Sequence, residues 1–144
     1  AASVALADGD DQPMLANGAA LYFTSSTRAG LGMGDIWRVD IDSTGATGTP
    51  AAVIGDVNSA GDEGAPAVTA DERTIAFARN ADIYLATRSS PADGFGTATA
   101  VPGLSDPAAH EAPTWISPDG CNLYVQSDAA GGMGGLDLYV ASRP

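Results

Sequence analysis

Glu-Ala-Pro-Thr-Trp-Ile-Ser-Pro-Asp-Gly-Cys-Asn-Leu-Tyr-Val-Gln-Ser occupies residues 111–127, and Asp-Leu-Tyr follows at 137–139. This stretch reads as strand, tight turn, strand, loop, strand. Ser-Pro-Asp-Gly at 117–120 carries turn chemistry, because Pro presets φ and Gly accepts positive φ. Leu-Tyr-Val-Gln-Ser (123–127) is a short apolar-aromatic run of strand character, and Asp137 opens the next one.

The same plan occurs twice more upstream. Asp-Gln-Pro (11–13) leads to Leu-Tyr-Phe-Thr-Ser (21–25) and then Asp-Ile-Trp (35–37). Gly-Ala-Pro (64–66) leads to Ile-Ala-Phe-Ala (75–78) and then Asp-Ile-Tyr (82–84). The prolines lie 53 and 47 residues apart, and the Asp-aliphatic-aromatic triplets 47 and 55 apart. The first and third loops before the Asp each hold nine residues and are both Gly-rich: 26–34 and 128–136. Other strand-like runs fall at 2–6, 51–54 and 97–101. No long stretch has a helical apolar period, so the pattern is all-β. Repeats of about 40–50 residues made of short strands fit four-stranded propeller blades.

The repeat resembles the WD-like β-propeller repeat of the TolB type. The resemblance rests on acid-x-Pro, Ser-Pro-Asp-Gly, Leu-Tyr-x-x-Ser, the Gly-rich loop and Asp-Ile-Trp or Asp-Leu-Tyr, and it spans essentially the whole chain. The second unit departs from it, with Thr-Ala-Asp-Glu-Arg at 69–73 in place of Ser-Pro-Asp-Gly and a short loop. The resemblance implies a propeller fold and a periplasmic or secreted bacterial setting. It says little of function, since propellers host unrelated activities.

The phase of the repeat predicts three blades, approximately 11–57, 64–104 and 111–142, with 1–8 as a closing outer strand. Three blades fall short of the usual four to eight. Two chains pairing head to tail would complete a six-bladed ring with two identical junctions. The competing reading makes the 144 residues part of a longer propeller, and a third is a closed three-bladed monomer.

Composition bounds the function. The chain has 18 acidic residues against 6 basic ones, a formal charge of −12, and every base is Arg. Such a chain repels phosphate backbones, which argues against nucleic acid as a partner. No apolar run approaches the about 18 residues of a membrane helix. Cys121 cannot form an internal disulfide, and its apolar context predicts a small buried side chain.

In a propeller the loops entering the first strand and those joining the second to the third share one face. Asp11, Glu63 and Glu111 are then expected to ring a channel mouth, where several carboxylates would suit Ca²⁺; no Asp-x-Asp-x-Asp-Gly loop accompanies them. The alternative for each acid is a backbone hydrogen bond at the strand entrance. Arg28, Met33, Arg79, Asn80, His110, Asp128 and Met133 form the expected ligand-contacting rim, with Met33 and Met133 offering adaptable apolar contact from their Gly-rich loops. Asp35, Asp82 and Asp137 are expected to tie down loops by accepting local amides. Trp37, Tyr84 and Tyr139 read as repeated packing, and Trp115 as a core residue of an inner strand.

His110 is the only His, and the chain has no Gly-x-Ser-x-Gly elbow, so no catalytic residue is assigned. The expected function is a non-catalytic module presenting one propeller face to a protein, peptide or glycan. The alternative is a polysaccharide hydrolase or lyase with a carboxylate or metal site at the channel mouth, which would need two facing carboxyl groups.

Overall fold

A computed structural model describes residues 9–106 and 108–143 of the chain. Its strands form three separate antiparallel sheets, taken in chain order. The first contains β1 (Asp10–Ala16), β2 (Ala20–Ser25), β3 (Asp35–Asp42), β4 (Gly45–Ala46) and β5 (Ala51–Ala52), with β4 and β5 both pairing with β3. The second is β6 (Glu63–Val68), β7 (Thr74–Arg79), β8 (Asp82–Thr87) and β9 (Thr99–Ala100). The third is β10 (Glu111–Ile116), β11 (Asn122–Ser127) and β12 (Asp137–Ser142). No helix among the described residues is long and apolar enough to cross a membrane. The strand expected at 2–6, and with it the closing strand assigned to 1–8, lies outside the described residues.

Pairing puts the three sheets in one register. Ser25 faces Asp10 on one side and Asp35 on the other. Arg79 holds the same place between Glu63 and Asp82, and Ser127 between Glu111 and Asp137. The first strand of each sheet carries a bulge, which lets a strand containing proline keep pairing on both sides. At Gln12 and Ala65 the bulge has positive φ, 49° and 48°. The Gln12 side chain joins the two bulges, accepting from the Ala65 amide at 2.7 Å.

The first strands pack side by side, β6 between β1 and β10. The apolar core then forms between successive sheets. Tyr22 and Ile36 of the first sheet meet Ile75 and Phe77 of the second. Ala76 and Ile83, on the opposite face of the second sheet, meet Leu123 and Val125 of the third. At roughly 25 cal/mol per Å² of buried apolar surface, these two layers are the main source of stability.

A polar junction adds to the first layer. Glu72 is 4% exposed and accepts from the Tyr22 hydroxyl at 2.7 Å, Arg38 Nε at 2.7 Å and Asn17 Nδ2 at 3.3 Å. Arg88 donates to the Tyr22 oxygen at 2.8 Å and lies 4.3 Å from the Phe95 ring centroid. Glu72 has φ +56° in the turn where the third sheet has Gly120 at φ +69°. A glutamate therefore holds a strained conformation that glycine adopts freely, and its side-chain bonds across the sheets offset the strain.

Three side chains differ from expectation. Cys121 is exposed, because it sits in the turn before β11 with its amide on Asp119. Trp115 is 43% exposed; the β10 bulge aligns it with Tyr124 on the outer face of the third sheet, ring centroids 5.5 Å apart. Tyr139 is 40% exposed, whereas its counterpart Tyr84 is stacked on Phe77. The third sheet has Val125 where the second has Phe77, so Tyr139 lacks that ring partner.

Two outcomes follow. Asn80 and Ala81 form a two-residue hairpin turn with φ +51° and +70°, and alanine is strained at the second position. Ala81→Gly should raise stability by about 0.5 kcal/mol in chemical denaturation. For Glu72, burial raises the pKa, but the bonds from Arg38 and Tyr22 outweigh it and hold the carboxyl below its ordinary 4.5. Its ionised form therefore stabilises the fold above pH 4.5, and this contribution is lost as pH falls through the folded value. The stability gap between wild type and Glu72→Gln should be full near neutrality and shrink below pH 4.5.

Candidate functional site

A cavity of about 340 Å³ opens where the first strands of all three sheets begin. Asp11, Gln12, Asp62, Glu63, Gly64 and Glu111 line it, with Gly34 and Ser26 from the loop between β2 and β3. Asp11 and Asp62 are exposed, whereas Glu63 and Glu111 are buried.

The buried acids are engaged within the protein. Glu63 accepts the Ser59 amide at 2.8 Å, the Ser59 hydroxyl, and Arg79 Nε at 2.9 Å. Arg79 in turn lies 5.3 and 5.0 Å from the ring centroids of Phe77 and Tyr84. In the first sheet the corresponding acid is Asp10, which binds Arg28 through two contacts of 2.7 and 3.1 Å. Arg28 lies 5.3 and 5.6 Å from Phe23 and Trp37. An acid, an arginine and two rings thus form the same clamp twice, although Arg28 comes from a loop and Arg79 from a strand end. A planar, delocalised charge that stacks on ring faces while bonding a carboxylate suits arginine better than lysine. In the third sheet Glu111 accepts the Asp106 amide at 2.9 Å instead.

Register pairs Asp10, not Asp11, with Glu63 and Glu111. Asp11 faces Thr24, in the place held by Gly64 and Ala112. Proline spacing misplaces the first acid by one residue, because the bulge precedes Pro13 and Pro66 but follows Pro113. Among the described residues no three His, Cys, Asp or Glu side chains come together as metal ligands. The carboxylates of Glu63 and Glu111 that a Ca²⁺ ion would use are already bonded to amides and, for Glu63, balanced by Arg79.

The rim residues divide into two groups. The guanidinium groups of Arg28 and Arg79 lie inside the clamps. Asn80 accepts the Asp62 amide at 3.0 Å and so fixes the segment entering β6. Asp128 accepts the His110 amide at 2.7 Å and contacts its ring at 3.2 Å. The His110 amide and then its ring hold the Asp128 carboxyl below its ordinary range. Both residues are exposed beside Glu111.

The second group is apolar. Met33 and Met133 are 71% and 97% exposed, and Leu31 is 72% exposed. Their loops share one anchor: Asp35 accepts the amides of Leu31 and Gly32, and Asp137 accepts that of Met133. Gly30 and Gly132 precede these anchors, and a Cβ there would lie 1.9 and 2.0 Å from the carboxylates. Asp82 closes the two-residue turn and has no such loop to hold. The Met33 amide donates to Gly61 O at 3.0 Å, which brings the first loop over the entrance to β6 and the cavity edge.

Sequence reasoning missed the Arg–aromatic clamps and Glu72. The signal for Glu72 was present: it replaces the glycine of a turn that demands positive φ. Compared with protein-family models, curated proteins and solved structures, the chain matches none.

Removing one partner of a buried ion pair leaves the other uncompensated. Glu63→Ala should therefore cost about 3 kcal/mol. Glu111→Ala, which loses an amide bond but no ion pair, should cost about 1 kcal/mol. Urea denaturation of the two variants checks the order.

Proposed function

We propose that the three sheets are successive blades of a β-propeller of the TolB-like kind, and that the chain is a non-catalytic binding module. Its binding face is the cavity mouth, and its partner is an extended polypeptide segment carrying Lys or Arg beside apolar residues. The periplasmic or secreted setting belongs to the same proposal. The shared register, and the packing of each sheet on the next, support the propeller reading.

One observation carries the binding reading. Exposed Asp11 and Asp62 line the cavity, and the exposed loop tips at Leu31 and Met33 arch over the entrance to β6 at its edge. Two exposed carboxylates attract a cation, and a flexible thioether adapts to varied apolar neighbours. The buried acids and arginines are spent on holding the strands, so recognition falls to the exposed groups.

Selection of a random displayed-peptide library on the immobilised chain provides the test. Selected peptides should combine Lys or Arg with an aliphatic or aromatic residue, and their affinity should fall with salt. The double variant Asp11→Asn/Asp62→Asn should weaken them roughly tenfold in calorimetry. Peptides indifferent to that variant would refute the site. Enrichment on a glycan array, with no peptide selected, would refute the polypeptide partner.

A further inference from the structure

The two layers between the sheets follow one plan and part company at one end. Counted back from the pair made by the Asp that opens each third strand, Tyr22 facing Arg38 corresponds to Ala76 facing Leu85. Arg88 corresponds to Arg143 by the same count and by its bonds. The Arg88 amide donates to Arg73 O at 2.9 Å and its Nε to Glu72 O at 2.6 Å. The Arg143 amide donates to Cys121 O at 2.8 Å and its Nη2 to Gly120 O at 3.0 Å. Gly120 therefore stands where the second sheet has Glu72.

In the first layer these four positions make the polar junction of the Tyr22 ring, the Glu72 carboxylate and the guanidinium groups of Arg38 and Arg88. In the second layer three of them are cut back, Tyr to Ala, Arg to Leu and Glu to Gly, and only the arginine is kept. A cavity of about 440 Å³ lies there, between the second and third sheets. Leu85, Val101, Leu104, Ile116 and Leu123 give it apolar walls, and Gly120, Cys121 and Arg143 also line it. It sits where β10 ends, whereas the cavity of Asp11 and Asp62 sits where β10 begins.

Arg88 lies 3.5 Å from the Glu72 carboxylate. Arg143 makes no ion pair among the described residues. A Cβ at Gly120 would lie 3.3 Å from Arg143 Nη2, so a side chain leaving that position starts out beside the guanidinium.

We propose that this cavity binds a free small acid carrying an aromatic ring and a carboxylate. The ring fills the apolar space and the carboxylate pairs with Arg143, whose planar fork matches it. Such a molecule supplies the two parts that the first layer draws from Tyr22 and Glu72 and the second layer lacks. The volume is that of a small-ligand site. A direct pair beside apolar walls outweighs the diffuse repulsion from a chain of charge −12, which salt screens. The inference depends neither on the propeller reading nor on peptide binding at the other cavity.

Calorimetry and ligand-observed NMR of the whole chain with hydrocinnamate provide the test. Hydrocinnamate should bind. Hydrocinnamamide, of the same shape without the charge, and hexanoate, with the charge but no ring, should each bind at least roughly tenfold more weakly. Arg143→Gln should weaken hydrocinnamate by roughly tenfold. Arg143 is exposed, so circular dichroism should show that variant folded. Gly120→Glu, which restores the carboxylate of the first layer, should abolish binding. Bound acid should also slow the reaction of Cys121 with a thiol reagent, because Cys121 lines the cavity and is exposed. No binding of hydrocinnamate up to about 10 mM overturns the proposal. Binding that is unchanged in Arg143→Gln, or equal for the amide, or equal for hexanoate, also overturns it.

Discussion

A small sheet of short strands has two faces and, among the described residues of this protein, no helix to cover either. Everything else in the structure follows from that constraint. Each sheet must bury its faces against other sheets, so the sheets stack in chain order and the core lies between them. The second sheet, covered on both sides, has Ile75, Ala76, Phe77 and Ile83 fully buried. The third, covered on one side only among the described residues, has Tyr124 and Leu138 exposed.

Stacking also brings the beginnings of the first strands together, where each carries an acid. A carboxylate buried there must be neutralised or hydrogen-bonded. Asp10 and Glu63 solve this with arginines laid over aromatic rings, and Glu111 with a backbone amide. The arginines come from different places in the sequence yet reach the same point. That solution accounts for much of the preference for arginine. At least four of the six arginines lie over aromatic rings: Arg28, Arg38, Arg79 and Arg88. Structural acids are thus separated from exposed ones, and only the exposed ones face solvent at the cavity mouth.

Much of the all-β organisation was legible in the sequence because strand signals are local. Alternation in Asp35–Asp42, turn chemistry at 117–120 and the Asp before each third strand depend on neighbouring residues alone. The loop anchors at Asp35 and Asp137 were legible for the same reason: each bond spans at most four residues. What was not legible depended on a bulge or on distant chain. The bulge shifts Asp11 out of line with Glu63 and places Asp10 there. Trp115, read as core, is turned outward by the same kind of irregularity. Glu72 meets Tyr22 and Asn17 from 50 and 55 residues away, a contact no local pattern announces.

Strand identity, turn positions and loop anchoring are local properties of the sequence, because periodicity, φ preference and short hydrogen bonds act over a few residues. Which acids are buried and paired, which arginines are withdrawn from the rim, and which equivalent side chains stay exposed is settled in the folded chain. Those outcomes depend on what packs against a face, and burial of a face is set by the neighbouring sheet, not by the strand that carries it.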